Sequence, residues 1–197
     1  FWKEIKNNKI YDIVVDFSGS SLTDDQLTKF NEGLLANMKK ITTLTINLAQ
    51  TQISDEGMRT LGYQILDYLY LKSFSLNCSK NSIKYSTLYS LILGLSWSWT
   101  TLEEIELIFD STDINGEEAL DSFSQMNKLR SIKLSFANSQ ITPKSLSSLV
   151  SCISLIADNL ETLDLNFNST NIDDECLEAF INEVLSDSKK LRHFKFA

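Results

Sequence analysis

The chain repeats itself about every 31 residues, and that period limits its possible folds more than any single motif does. Ile41-Thr-Thr-Leu44-Thr-Ile46-Asn-Leu48 returns as Leu71-Lys-Ser-Phe74-Ser-Leu76-Asn-Cys78 and as Leu102-Glu-Glu-Ile105-Glu-Leu107-Ile-Phe109. It returns again as Leu129-Arg-Ser-Ile132-Lys-Leu134-Ser-Phe136 and Leu160-Glu-Thr-Leu163-Asp-Leu165-Asn-Phe167. Ile10-Tyr-Asp-Ile13-Val-Val15-Asp-Phe17 opens the series, and Leu191-Arg-His-Phe194-Lys-Phe196 ends it. The anchors Ile10, Ile41, Leu71, Leu102, Leu129, Leu160 and Leu191 are 31, 30, 31, 27, 31 and 31 residues apart.

The register continues beyond the apolar run. Twelve residues after successive anchors stand Leu22, Ile53, Ile83, Ile114, Ile141 and Ile172. Two residues before each is a small polar side chain: Ser20, Thr51, Asn81, Thr112, Ser139 and Thr170. Side chains alternate along a strand, so residues three, five and seven after an anchor share one face. A helical stripe follows, as in Leu27 and Phe30, Met58 and Leu61, Leu88 and Leu91, Leu146 and Leu149, and Leu177 and Phe180. One unit cannot bury both faces, whereas stacked units share a continuous core. The expected architecture is α/β, with a parallel sheet lining a concave side and helices on the convex side.

The pattern LxxLxLxF, with TxI and a helix after it, resembles the leucine-rich repeat in its long ribonuclease-inhibitor-like form. The resemblance covers Ile10 to Phe196 and implies a right-handed solenoid, the horseshoe of that family. One departure stands out. The family's usual form places Asn or Cys eight residues after the anchor and the next apolar residue at ten. Here those roles fall at ten and twelve, which predicts a turn two residues longer. The units are 10–40, 41–70, 71–101, 102–128, 129–159, 160–190 and the partial 191–197. Residues 1–9, with Phe1, Trp2 and Ile5, read as the end of a preceding unit or an N-terminal cap. The short fourth unit carries a shifted stripe, Ala119, Leu120, Phe123 and Met126, and predicts a local irregularity in curvature.

Composition narrows the function classes. With 18 basic and 26 acidic residues the net charge is −8, which excludes a broad nucleic-acid or anionic-membrane surface as the expectation. No run of about 18 apolar residues is present. Cys78, Cys152 and Cys176 are odd in number and widely spaced, so neither a disulfide framework nor a zinc site is expected, and a cytoplasmic, reducing location is.

Each candidate motif has a structural reading. Thr23, Ser54, Asn115 and Asp173 are N-cap types, Gln26 and Glu118 suit a capping box, and Thr142-Pro143 places proline at the first helical position. The carboxylates Asp24, Asp55 and Asp174 then complement helix dipoles, worth a few tenths of a kcal/mol each. The ladder hydroxyls lack a neighbouring base, and the single His193 cannot serve six positions, so no catalytic residue, metal ligand or cofactor site is assigned. Cys78 reads as a buried small hydrophobe, Trp97 as core, and Trp99 as partly exposed.

The outward strand positions carry the functional expectation. The fourth unit presents Glu104, Glu106, Ile108 and Asp110, followed by Lys133 and Asp164 on the next strands. The resemblance implies protein recognition through this concave face, so the expected role is a non-enzymatic interaction module or scaffold. Its partner is another protein with a basic surface, not a nucleic acid, membrane or small molecule. The alternative is the recognition part of an enzyme regulator: a ubiquitin-ligase adaptor, a GTPase-activating protein, or a chain with a separate catalytic domain. The chain opens on Phe1, and we expect it to be a segment of a longer repeat protein.

Overall fold

A computed structural model of the chain describes residues 10–98, 100–114, 126–186 and 188–197. Every anchor is followed two residues later by a strand: β1 (Asp12–Asp16), β2 (Thr43–Asn47), β3 (Ser73–Asn77), β4 (Glu104–Ile108), β5 (Ser131–Ser135), β6 (Thr162–Asn166) and β7 (His193–Phe196). They form one unclosed parallel sheet in sequence order, β1-β2-β3-β4-β5-β6-β7. The pairing register is the alignment of the repeats themselves. Ile13, Leu44, Phe74, Ile105, Ile132, Leu163 and Phe194 are successive partners across the whole sheet. A one-residue slip would turn every buried side chain to the open face, so the alternation of apolar residues pins the register.

Between strands run α1 (Asp24–Gly33), α2 (Asp55–Ile65), α3 (Tyr85–Ser96), α4 (Pro143–Ser154) and α5 (Asp174–Phe180), the last extended by a π turn over Ile181–Leu185. The apolar stripes behave as expected: Leu27, Met58, Leu61, Leu88, Leu91, Leu146, Leu149 and Phe180 are buried with the inward strand residues in one continuous cluster. The arrangement is a run of strand–turn–helix units along one unclosed parallel sheet. Among the described residues no helix is long and apolar enough to cross a membrane. The expected cap over 1–9, the helix of the fourth unit with Asn115 and Glu118, and the exposure of Trp99 lie outside the described residues.

The longer turn is built the same way each time. Nine residues after the anchor the backbone is left-handed, at Gly19 and at the non-glycines Gln50, Lys80, Ser111, Asn138 and Ser169, with φ between 55° and 68°. At all of these but Ser169 the N–H reaches across to the following unit, as in Gln50 N to Ser79 O at 2.8 Å and Ser111 N to Ala137 O at 2.8 Å. The ladder residue then donates back to the carbonyl seven after the anchor. Thr51 Oγ1 to Leu48 O is 2.9 Å, Thr112 Oγ1 to Phe109 O 2.7 Å, and Thr170 Oγ1 to Phe167 O 2.7 Å. Asn81 serves two units at once, donating to Cys78 O at 3.1 Å and Leu48 O at 2.7 Å. Inside the turn, Phe109, Phe136 and Phe167 stack with centroids 6.0 and 5.9 Å apart.

Caps follow the sequence except in two respects. Thr23 N donates to Gln26 Oε1 at 3.0 Å, Cys176 N to Asp173 Oδ1 at 3.0 Å, and Pro143 opens α4 behind Thr142. Asp24 and Asp55, however, do more than face their own helix dipoles. Asp24 accepts from Ser54 N at 2.9 Å and Ser54 Oγ at 2.5 Å, so it holds the start of the next helix. Gly57 leaves it room, since a Cβ there would stand 3.0 Å from Asp24 Cγ. Asp55 repeats the clasp on Lys84 N at 2.8 Å and on the buried Thr87 Oγ1 at 2.5 Å. The second correction is Trp97, which is 61% exposed as the C-cap of α3. In the other units a residue three before the anchor is buried: Met38, Tyr68, Met126 and Ala157.

Candidate functional site

The side chains two, four and six residues after each anchor point away from the helices and form straight rows across the open face of the sheet. The row at six is mostly structural. Asp16, Asn47, Asn77 and Asn166 each accept the backbone N–H two residues on, at 2.9, 3.1, 3.0 and 3.1 Å. At Asp16 the Ser18 hydroxyl and N–H hold the carboxyl below the usual carboxylate range.

β4 breaks this row. Ile108 occupies the position and has no acceptor to offer, and in β5 Ser135 has no carboxylate or amide. Asp110 compensates for the second gap: its Oδ1 accepts from Ala137 N at 2.9 Å and Ser135 Oγ at 2.5 Å. Asp110 is thus half-buried and committed to the following turn.

The other expected residues lie together. Glu104 is exposed and its Oε2 accepts from Ser73 Oγ at 3.2 Å, while Glu106 accepts from Ser75 Oγ at 2.7 Å. Both carboxylates therefore lean toward β3. On the far side Asp164 pairs with Lys195 at 3.3 Å. Lys133 stands between Glu106 and Asp164 in the same row, exposed and without an ion pair or side-chain hydrogen bond among the described residues. Glu106, Ile108, Lys133, Ser135, Asp164 and Asn166 line a shallow depression of about 140 Å³. Ile108 is half-buried at its edge. Five of the six expected residues thus share one free surface, and Asp110 is tied into the fold.

Chemically, the described residues of this face offer charged and apolar contacts to a partner surface. The ladder hydroxyls donate to turn carbonyls, and His193 lies on edge strand β7, away from them. Burial pushes the Cys78 thiol well above its ordinary range, so the thiolate is suppressed.

Sequence reasoning missed one surface. Tyr63 on α2 and Tyr89, Leu93 and Trp97 on α3 are exposed beside the close approach of Gly62 and Gly94. Arg59 lies over the Tyr63 ring, 5.4 Å from its centroid. The signal was available in residues 85–102, which carry no charged side chain, and in the four-residue spacing of Tyr89, Leu93 and Trp97.

No family model matches the chain, and no curated protein matches it. Among solved structures it is similar to an internalin from Listeria monocytogenes, at 17% identity and a TM-score of 0.40. The match covers 92% of this chain and 53% of the internalin, so the chain spans about half of that structure's length.

Proposed function

We propose that the chain is a non-enzymatic protein–protein interaction module, a right-handed solenoid of the long ribonuclease-inhibitor-like type, acting in the cytoplasm as a segment of a longer repeat protein. The open sheet face is its concave recognition surface, and Glu104, Glu106, Ile108, Lys133 and Asp164 are the contact residues. The carrying observation is Ile108. Its counterparts in β1, β2, β3 and β6 support their own turns, and β4 gives up that bond for an apolar side chain flanked by carboxylates. A departure from a structural rule that four other strands keep, at an apolar side chain with no structural substitute of its own, marks a position held for binding. The partner presents cations to Glu104 and Glu106 and an apolar group to Ile108. A desolvated apolar anchor ringed by charges suits such an interface. Three cysteines, none of them in a disulfide, support a reducing location.

The test is Ile108→Asn, alongside Glu104→Gln/Glu106→Gln, against a partner cross-linked to the chain in cells. Asn restores the acceptor of the other rows, so folding stability holds or gains about 1 kcal/mol. Binding falls roughly tenfold or more, and the double amide variant flattens its salt dependence. Unchanged affinity in both variants refutes the proposal.

A further inference from the structure

The carboxylates at one rim of the sheet have structural work, and the cations at the other do not. Where strands end, Asp24, Asp55, Asp110 and Asp173 all accept hydrogen bonds from turns or helix starts. Where strands begin, the residue just before the anchor is Lys128 in the fifth unit and Lys190 in the seventh, with Arg130 and Arg192 just after the anchors. The backbone ties these strand starts side by side: Glu161 N donates to Arg130 O at 2.7 Å, and Arg192 N to Glu161 O at 2.9 Å.

Asn127, Lys128, Arg130, Asn159, Glu161 and Lys190 line an open depression of about 400 Å³ on this rim. Inside it, Glu161 faces Arg130 at 3.8 Å, and Lys190 Nζ donates to the neutral Asn159 Oδ1 at 3.2 Å. Lys128 has no ion pair or side-chain hydrogen bond among the described residues, and it is exposed. Beside the depression, Lys189 is neutralised by Asp158 at 3.2 Å. Counting Lys128, Arg130, Lys189, Lys190 and Arg192 against Glu103, Asp158 and Glu161 leaves a local charge of +2 in a chain of −8. No described helix has a basic residue in its last turn, so these cations are not the usual partners of a helix C-terminus. On the connection leading to Asn159, Leu155 is 71% exposed.

We infer that this rim is a second docking surface, for an acidic segment of a partner protein whose carboxylates meet Lys128 and Lys190 and whose apolar side chain meets Leu155. Charge complementarity selects the occupant. Two interleaved carboxylates, and no exposed aromatic side chain lining the depression on which a base could stack, disfavour a nucleic-acid strand.

The probe is a fluorescent peptide of glutamate and leucine, with a single-stranded RNA of similar length as the counter-probe. Anisotropy is read at about 50 and about 200 mM salt. The peptide binds at low salt, and Lys128→Gln/Lys190→Gln weakens it roughly tenfold with circular dichroism unchanged. Glu161→Gln strengthens it, and Glu104→Gln/Glu106→Gln leaves it unaltered, which separates this rim from the open sheet face. No binding at low salt, an indifferent lysine variant, or tighter RNA binding overturns the inference.

Discussion

Removing the Asp55 carboxylate should cost far more than its place at a helix start suggests. As a dipole partner alone it is worth a few tenths of a kcal/mol. In the fold it receives Lys84 N at 2.8 Å and Thr87 Oγ1 at 2.5 Å, and Thr87 is fully buried. Asp55→Ala loses two bonds to a charged acceptor and strands a buried hydroxyl, a cost of about 2–3 kcal/mol. Thr87→Val in the Asp55→Ala background removes the stranded donor and recovers about 1 kcal/mol of it. Asp174, the equivalent residue of the sixth unit, is exposed and has no side-chain hydrogen bond among the described residues, so Asp174→Ala costs only a few tenths. Urea titration followed by circular dichroism gives all three values. Equal, small losses for Asp55→Ala and Asp174→Ala would refute the inter-unit clasp.

Three further outcomes follow from the packing. Leu134→Ala or Leu165→Ala, each at a buried strand position, lowers stability by about 2–5 kcal/mol in the same titration. Lys80→Gly relieves a left-handed non-glycine residue at φ 58° and raises the free energy of unfolding by about 0.5–1 kcal/mol after the entropy of glycine is subtracted. Alkylation read by mass spectrometry modifies half-buried Cys176 while folded, whereas Cys78, wholly buried with its thiol pushed up, reacts only on unfolding.

The parts of the fold that were legible in the sequence are those that depend on one residue class recurring at one spacing. Leu44, Phe74, Ile105, Ile132 and Leu163 announce the register because alternation leaves them a single face. The left-handed turn is hidden in the sequence because only Gly19 of its six residues is glycine; Gln50, Lys80, Ser111 and Asn138 are held there by bonds to the following unit. Asp110 was read as a free contact for a related reason. Its role appears only once Ser135, 25 residues on, is seen to lack an acceptor for Ala137 N. Counting back from the anchor puts Trp97 in the core, yet α3 ends there and Trp97 caps it in the open. Spacing reports what a unit buries by itself, whereas contacts between units need the stacking to be known.

The most direct test of the recognition face is a methyl-labelled NMR titration of the chain with its cross-linked partner. The account predicts the largest shift change at the Ile108 methyls, with Leu93 and Ile181 little moved. Changes concentrated at Leu93 on α3, with Ile108 silent, would place recognition on the helices and contradict it.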